Sequence, residues 1–207
     1  MKCVILAIDP GTTSGWAIAA DGVVVASGSA KNVTQRIDTM DVLDDFAASD
    51  LSHVVAVLEQ WTVGGSKGRD GTGTRWNPQT IAGLGSSRGR WLEQLAIAGL
   101  PERRIVGVVP ATWRKAILDG MRRRTTEEAK ASAQIVARLR LGRDVGPDEA
   151  EAVCMALWAV HAPEVRALWP KPKAPSANRK TRRAATKPVA HGRTITQIID
   201  EASGGGS

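Results

Sequence analysis

The sequence predicts an α/β protein with a mixed five-stranded sheet flanked by helices, and three observations lead to this class. Five short runs of aliphatic and β-branched residues have the length and composition of buried strands. Between and after these runs, apolar residues recur at helical spacing over longer segments. The chain has 207 residues, which is enough to bury a substantial hydrophobic core in one domain.

The strands are predicted from apolar runs that end at Gly, Pro or an acidic residue. Asp21-Gly22 is a strong hairpin signal, so the first three strands are expected to form an antiparallel unit. The predicted strands are residues 2–9, 16–20, 23–28, 54–59 and 105–109.

The helices are predicted from apolar periodicity and from their end signals. Gly99-Leu100-Pro101 ends the second helix, and Thr125 followed by Glu127 and Glu128 is a favourable start for the fourth. The predicted helices are residues 33–48, 79–99, 111–118, 125–141 and 148–161.

The chain is expected to form one domain, residues 1–169, and a basic, largely disordered tail, residues 170–207. Eight basic and two acidic residues lie in the tail, whereas the first 169 residues hold 20 basic and 19 acidic ones. The whole chain has a net charge of +7 and a pI near 9.9, which favours polyanionic partners such as nucleic acid. Within the domain, the Gly-rich residues 61–78 are predicted to be a mobile loop.

Several classes of protein are disfavoured. Cys3 and Cys154 are the only cysteines and lie far apart inside apolar runs, which argues against a disulfide framework and a thiolate metal site. No run of about twenty apolar residues and no signal-peptide pattern is present. We therefore expect a cytoplasmic protein without a membrane partner.

Four acidic residues could converge on one site. Asp9 and Glu59 end two predicted strands that would be neighbours in the sheet, and Asp148 and Glu151 lie on one face of the last helix. Clustered carboxylates repel one another unless cations neutralise them, and oxygen ligands suit Mg²⁺. Two such ions about 4 Å apart can activate water and stabilise the leaving oxygen in phosphodiester hydrolysis.

Each acidic residue also has a purely structural interpretation. Asp9 before Pro-Gly could stabilise a turn, and Glu59 could be a surface acid at the end of a strand. Asp148 and Glu151 have the spacing of a capping box, with an acid at the N-cap and Glu three residues later.

The order of these motifs resembles the RuvC-type Holliday-junction resolvases of the RNase H-like superfamily. Residues 1–163 carry the resemblance through a strand followed by Asp9-Pro10-Gly11-x3-Gly15-Trp16, a strand ending in Leu58-Glu59, Pro110-x4-Lys115, and Asp148-x-x-Glu151-Ala152. The resemblance implies an RNase H-like fold and two Mg²⁺ ions held by Asp9, Glu59, Asp148 and Glu151. It also implies that Asp9 bridges the ions, that Mn²⁺ can substitute, and that Lys115 lies near the scissile phosphate.

The sequence departs from the family pattern in two ways. The final acid of the family is usually Asp, and Glu151 is one methylene longer, so its metal contact could be direct or through water. A second family lysine has no clear counterpart. The candidates for its role are Arg122, Arg123, Arg124 and Lys130.

The loop after Glu59 is the predicted DNA-binding segment, since an aromatic residue there helps to open bases at the crossover in the resolvases. Trp61 and Trp76 flank the loop, and a base stacked on an aromatic side chain contributes about 1–3 kcal/mol. Trp61 has the alternative of packing in the core. The predicted DNA-binding residues are Trp61, Lys67, Arg69, Trp76, Arg114, Arg122, Arg123, Arg124 and Lys130.

The function that these residues predict is a metal-dependent, structure-selective endodeoxyribonuclease acting on four-way junctions or related branched DNA. The resemblance further implies a homodimer, because a four-way junction has two-fold pseudo-symmetry. The host would be a bacterium or a phage-infected cell, and the basic tail favours a phage relative. One alternative is a DNA-binding module without catalysis; another is a fragment of an actin-like ATPase, whose phosphate loop Asp-x-Gly-Thr-Thr resembles.

Overall fold

The computed structural model describes residues 3–48, 50–61, 78–119 and 125–170. The strands are β1 (Val4–Asp9), β2 (Ser14–Ala20), β3 (Val23–Ala30), β4 (Val54–Glu59) and β5 (Ile105–Val108). The helices are α1 (Val33–Ala47), α2 (Pro78–Ile97), α3 (Pro110–Ile117), α4 (Thr126–Leu141), α5 (Pro147–Ala159) and α6 (Pro163–Arg166). Short 3₁₀ turns, Leu51–His53 and Glu102–Arg104, precede β4 and β5.

The strands form one mixed sheet in the order β3-β2-β1-β4-β5. The first three strands pair antiparallel, while β4 is parallel to both β1 and β5. This arrangement confirms the predicted fold class, an RNase H-like five-stranded sheet flanked by helices. The turn between β2 and β3 consists of Asp21 and Gly22, which both have positive φ (51° and 86°). Two-residue hairpin turns with positive φ at both positions match the right-handed twist of the strands they join.

Helices cover both faces of the sheet because alternate side chains of the central strands point to opposite sides. Ile5 and Ala7 of β1 belong to a core shared with α5, whereas Leu6 and Ile8 belong to a second core shared with α1 and α2. Every residue of β1 and β4 is buried, which explains why both strands read as continuous apolar runs.

The N-terminal ends of α4 and α5 test the interpretation of Asp148 and Glu151 as a capping box. Thr125 caps α4 in a reciprocal capping box with Glu128, as the end signals suggested. In contrast, α5 begins at Pro147 with Gly146 at its N-cap, and no side chain caps it. The capping-box interpretation of Asp148 and Glu151 is therefore wrong, because the N-cap lies two residues before Asp148 and neither carboxylate is at the N-cap position.

Two predicted segments lie mostly outside the described residues. Of the predicted loop 61–78, the structure describes Trp61 and Pro78, the latter already in α2. Of the predicted tail, it describes Pro170 alone. Both interpretations stay predictions. Within the described ranges, no helix combines the length and the apolar character that crossing a bilayer requires.

Candidate metal centre

The edge of the sheet brings two acidic residues together. Asp9 is the last residue of β1 and Glu59 the last of β4, and the parallel register aligns Ile8 with Leu58 immediately before them. Both residues are buried, with 9% of Asp9 and 4% of Glu59 exposed. Two carboxyl groups thus lie at one end of a dry sheet, where ionisation is unfavourable without a compensating cation.

A glycine allows helix α5 to approach the same end of the sheet. Gly15 pairs with Asp9 across β1 and β2, and a Cβ built on Gly15 would lie 1.9 Å from the carbonyl oxygen of Asp148. Only a residue without a side chain lets the first turn of α5 approach the sheet so closely. The requirement for glycine in the motif is therefore steric, and it sets the position of α5 relative to Asp9.

Three carboxylates meet as a result. One oxygen from each of Asp9, Asp148 and Glu151 lies within 4.8 Å of the others. Asp148 and Glu151 are three residues apart and so share one face of α5. Hard oxygen ligands at this spacing, from one strand and one helix, match the donor set that Mg²⁺ or another hard divalent ion uses.

Glu59 lies near the three carboxylates, and a hydrogen bond from Trp113 orients its side chain. The indole N–H of Trp113, a fully buried residue of α3, donates a hydrogen bond to Glu59 Oε2 at 2.8 Å. Burial raises the pKa of Glu59 to about 7; the Trp113 hydrogen bond opposes this rise, as does a smaller contribution from Trp61. Trp113 therefore holds the carboxylate at a fixed orientation beside the other three acids.

The electrostatics of Asp9 favour the binding of a cation. Burial raises the pKa of Asp9 well above its usual value, and the carboxylates of Glu59, Glu151 and Asp148 raise it further. Lys130 opposes the rise only in part. A group of acids that destabilise one another in this way fits a divalent ion, which would neutralise the charges and use the oxygens as ligands. The residues present therefore fit the metal that the sequence predicted.

Two basic residues contact the acidic cluster. Arg114 forms an ion pair with Glu151, and its guanidinium lies 5.1 Å from the centre of the Trp113 ring. Lys130 lies 3.1 Å from Asp148 and 3.9 Å from Glu151. Burial lowers the pKa of Lys130, but the hydrogen bond and charge of Asp148 more than offset this, so its pKa is raised.

The other predicted site residues have varied positions. Lys115 is exposed on α3, and the contacts of the described residues bring its neighbour Arg114, not Lys115, to the carboxylates. Trp61 is half-buried beside Glu59. The remaining predicted DNA-binding residues lie outside the described part of the chain; they are Lys67, Arg69, Trp76, Arg122, Arg123 and Arg124.

Sequence reasoning missed several residues that hold the site in place. The hydrogen bond of Trp113 has no sequence signal, because an apolar pattern does not reveal where an indole N–H points. Ser87 of α2 donates to the carbonyl of Gly11 at 2.7 Å, in the turn that follows Asp9. Arg143 donates to Glu149 at 2.6 Å and to Ser27 on β3, which ties the residue after Asp148 to the sheet. These polar residues carry no sequence signal that distinguishes them from surface residues.

The fold and site together define an RNase H-like domain with a carboxylate cluster suited to divalent ions. No protein-family model and no curated protein matches the chain. Among solved structures, the chain is similar to T. thermophilus RuvC in complex with a Holliday junction substrate. The two share 18% sequence identity and a TM-score of 0.49, with 76% of this chain and 92% of that chain covered. The sheet order and strand pairing of this chain define its fold without that match, and a phage origin stays a prediction.

Proposed function

We propose that this protein is a metal-dependent, structure-selective endodeoxyribonuclease that hydrolyses phosphodiesters at Holliday junctions or related branched DNA. The observation that carries the proposal is the convergence of Asp9, Asp148 and Glu151 within 4.8 Å, with Glu59 at the adjacent strand end. A phosphate loop of the ATPase type would leave the acids of α5 without a role. The acidic cluster therefore favours metal-assisted hydrolysis over nucleotide binding.

Each acid has a stated task. Asp9, Asp148 and Glu151 would hold the divalent ions, and Glu59 would complete the set of ligands. Bound Mg²⁺, or Mn²⁺ in its place, would activate water and stabilise the developing negative charge on the phosphate. Trp113 fixes the orientation of Glu59, and burial keeps bulk water from competing for the carboxylate oxygens. Lys115, Arg114 and Lys130 would contact phosphate oxygens of the DNA.

The proposed partner is branched DNA, bound by a homodimer. Support comes from the charge of the chain, which is +7 overall and strongly basic after residue 169. The loop after Glu59 would contact the crossover through Trp61 and Trp76, with Lys67 and Arg69 on the phosphates. Arg122, Arg123 and Arg124 would extend the phosphate-binding surface.

Cleavage assays on three DNA substrates test the proposal. The purified protein is incubated with a four-way junction, a flap and a linear duplex, each in Mg²⁺, Mn²⁺ or EDTA. We expect cleavage of branched DNA that requires the metal. Asp9→Asn should lower the cleavage rate more than about 100-fold, since even outer-shell partners of a metal site contribute 10–100-fold.

Matched variants and binding measurements separate the alternatives. Asp38→Asn removes an exposed carboxylate of α1, far from the site in sequence, and should leave cleavage unchanged. Asp9→Asn should still bind the junction. Binding without cleavage by the wild-type protein in either metal would favour the non-catalytic module, and metal-dependent nicking by Asp9→Asn would refute the assigned site.

A further inference from the structure

Two basic side chains occupy carboxylate oxygens that divalent ions would need. Arg114 pairs with Glu151 Oε1, and Lys130 lies 3.9 Å from Glu151 Oε2. Both oxygens of Glu151 therefore face a cation. Lys130 also bonds Asp148 Oδ1 at 3.1 Å. A metal ion and these two bases would compete for the same oxygen lone pairs.

The formal charges of the site differ between its metal-free and metal-bound states. With all groups ionised, the four carboxylates and two bases, Arg114 and Lys130, carry a net −2. One divalent ion would bring this net charge to zero. A second would leave a surplus of +2 if both bases stayed in place. When two ions fill the site, Arg114 and Lys130 are therefore favoured to leave the carboxylates and to bind an anion instead.

The two bases have the access and the chemistry to bind that anion. The side chains of Arg114 and Lys130 are 24% and 37% exposed, whereas that of Glu151 is 4% exposed. They thus extend from the solvent edge to buried carboxylates. Arg binds phosphate through its planar fork of N–H groups and Lys through a compact charge. The Arg114 guanidinium also lies over the Trp113 ring, and this cation–π contact can stabilise the guanidinium when it leaves Glu151.

We propose that Arg114 and Lys130 exchange partners during the catalytic cycle, an inference that rests on the proposed nuclease function. In the metal-free protein they pair with Glu151 and Asp148; when divalent ions take these carboxylates, the two bases bind phosphates of the DNA. Either ligand can drive the exchange. Metal binding therefore strengthens DNA binding, and DNA binding strengthens metal binding by the same factor.

The exchange is tested by measuring that factor from both sides. Ca²⁺ serves as the probe because it is a hard cation with oxygen ligands. The Kd of a synthetic four-way junction is measured in EDTA and in saturating Ca²⁺ at constant ionic strength, with DNA integrity checked on denaturing gels. The Kd of Ca²⁺ is measured by calorimetry with and without the junction. For the wild-type protein we expect both affinities to rise by one common factor of at least about five, the usual lower bound for coupled sites.

Variants of the two bases should separate competition from coupling. In Arg114→Met/Lys130→Met, Ca²⁺ should bind more tightly than in the wild type without DNA, because its competitors are gone. The coupling factor should fall well below that of the wild type, since neither base remains to move to the DNA and only the direct attraction between Ca²⁺ and phosphate is left. Lys130→Gln should give an intermediate factor and provides a milder change if the double variant melts at a much lower temperature. Arg140→Met removes an exposed charge from α4, the helix that carries Lys130, and should leave the coupling factor unchanged.

The outcomes distinguish this inference from the function on which it rests. Weaker Ca²⁺ binding in the base variants, or a coupling factor equal to that of the wild type, overturns the exchange and leaves the nuclease assignment intact. Failure of the wild-type protein to cleave branched DNA in Mg²⁺ or Mn²⁺ overturns the proposed function instead. In that case the Ca²⁺ and junction titrations still decide whether the bases exchange partners.

Discussion

Trp113 contributes one hydrogen bond to the site, and a single substitution can remove it. Trp113→Phe keeps a large aromatic ring in the core but leaves Glu59 Oε2 without its donor at 2.8 Å. Leaving a buried acceptor unpaired costs about 1–3 kcal/mol. We expect a 10–100-fold loss of divalent-ion affinity or cleavage rate, the usual effect of an outer-shell partner. Calorimetry with Mg²⁺ and the junction-cleavage assay measure it.

Trp91 provides the matched control. It is also fully buried, but it lies in the core on the opposite face of the sheet, and its indole N–H finds no acceptor in the part of the chain that the structure describes. Trp91→Phe should lower the melting temperature through lost packing and leave metal affinity unchanged. Equal losses of metal affinity in both variants would show that Trp113 acts through packing alone.

The sequence alone could not show which basic residues contact the carboxylates. The resemblance to the resolvases implies a role for Lys115, yet the phase of α3 turns Arg114 towards Glu151 and leaves Lys115 exposed. Among four candidates for a second basic residue, the structure brings Lys130 to Asp148, because α4 packs against α5. Such choices depend on helix phase and on packing between helices distant in sequence, which a local pattern does not encode. Arg122, Arg123 and Arg124 lie outside the described residues.

The contact between β2 and α5 positions half of the acidic cluster. Gly15→Ala would place a methyl group 1.9 Å from the Asp148 carbonyl, so α5 must move away from the sheet. Overpacking of this kind costs about 1–3 kcal/mol, and the backbone contact leaves little room for relaxation. We expect Gly15→Ala to lower the melting temperature and to weaken Mg²⁺ binding, both measured on the same preparation by thermal melts and calorimetry.

A substitution at a second glycine separates the steric effect at Gly15 from the general effect of replacing Gly with Ala. A Cβ at Gly83 of α2 would meet no atom within 4 Å among the residues described. Gly83→Ala should therefore stabilise the protein by up to about 1 kcal/mol through helix propensity, with no effect on Mg²⁺ affinity. Unchanged Mg²⁺ affinity in Gly15→Ala would contradict the role assigned to this contact.

Elements and site were predictable to different degrees from the sequence. The apolar runs that end at Asp9 and Glu59 predicted two strand ends at one edge, and the parallel pairing of β1 with β4 agrees with this. The spacing of Asp148 and Glu151 fitted either a cap or a ligand pair, and only the position of Gly146 at the N-cap excluded the cap. A short-range pattern predicts elements, but the function of a charge depends on what the tertiary fold places beside it.

The acidic cluster makes the stability of the whole domain depend on divalent ions. Beyond burial, the carboxylates of Glu59, Glu151 and Asp148 raise the pKa of Asp9, and Glu151 raises that of Glu59. This repulsion destabilises the metal-free fold, and a bound ion would remove it. An ion present at 100 times its Kd stabilises the folded state by about 2.7 kcal/mol. In a domain of this size, that corresponds to a rise of about 5–10 °C in melting temperature. Thermal melts in EDTA and in Mg²⁺ at constant ionic strength check this.

The Asp9→Asn variant is expected to abolish this dependence of melting temperature on Mg²⁺. It removes one charge from the cluster, so its melting temperature in EDTA should exceed that of the wild type, while its response to Mg²⁺ should disappear. Asp38→Asn, in an exposed position, should keep the wild-type response. A large Mg²⁺ shift in Asp9→Asn would mean that the ion stabilises the protein at another site.

The uneven charge of the chain leads to the last prediction, which concerns DNA affinity as a function of salt. Residues 170–207 hold eight of the 28 basic residues, and the rest of the chain is nearly neutral. Each phosphate neutralised contributes about 0.9 to the slope of log K against log salt concentration. Deleting residues 170–207 should therefore lower junction affinity and flatten this slope by several units, measured by fluorescence anisotropy over a salt series. Deleting only residues 200–207, which contain no basic residue, should leave the slope intact. An unchanged slope after the longer deletion would assign DNA binding to the domain alone, because counterion release follows the charges that touch phosphate and not the net charge of the chain.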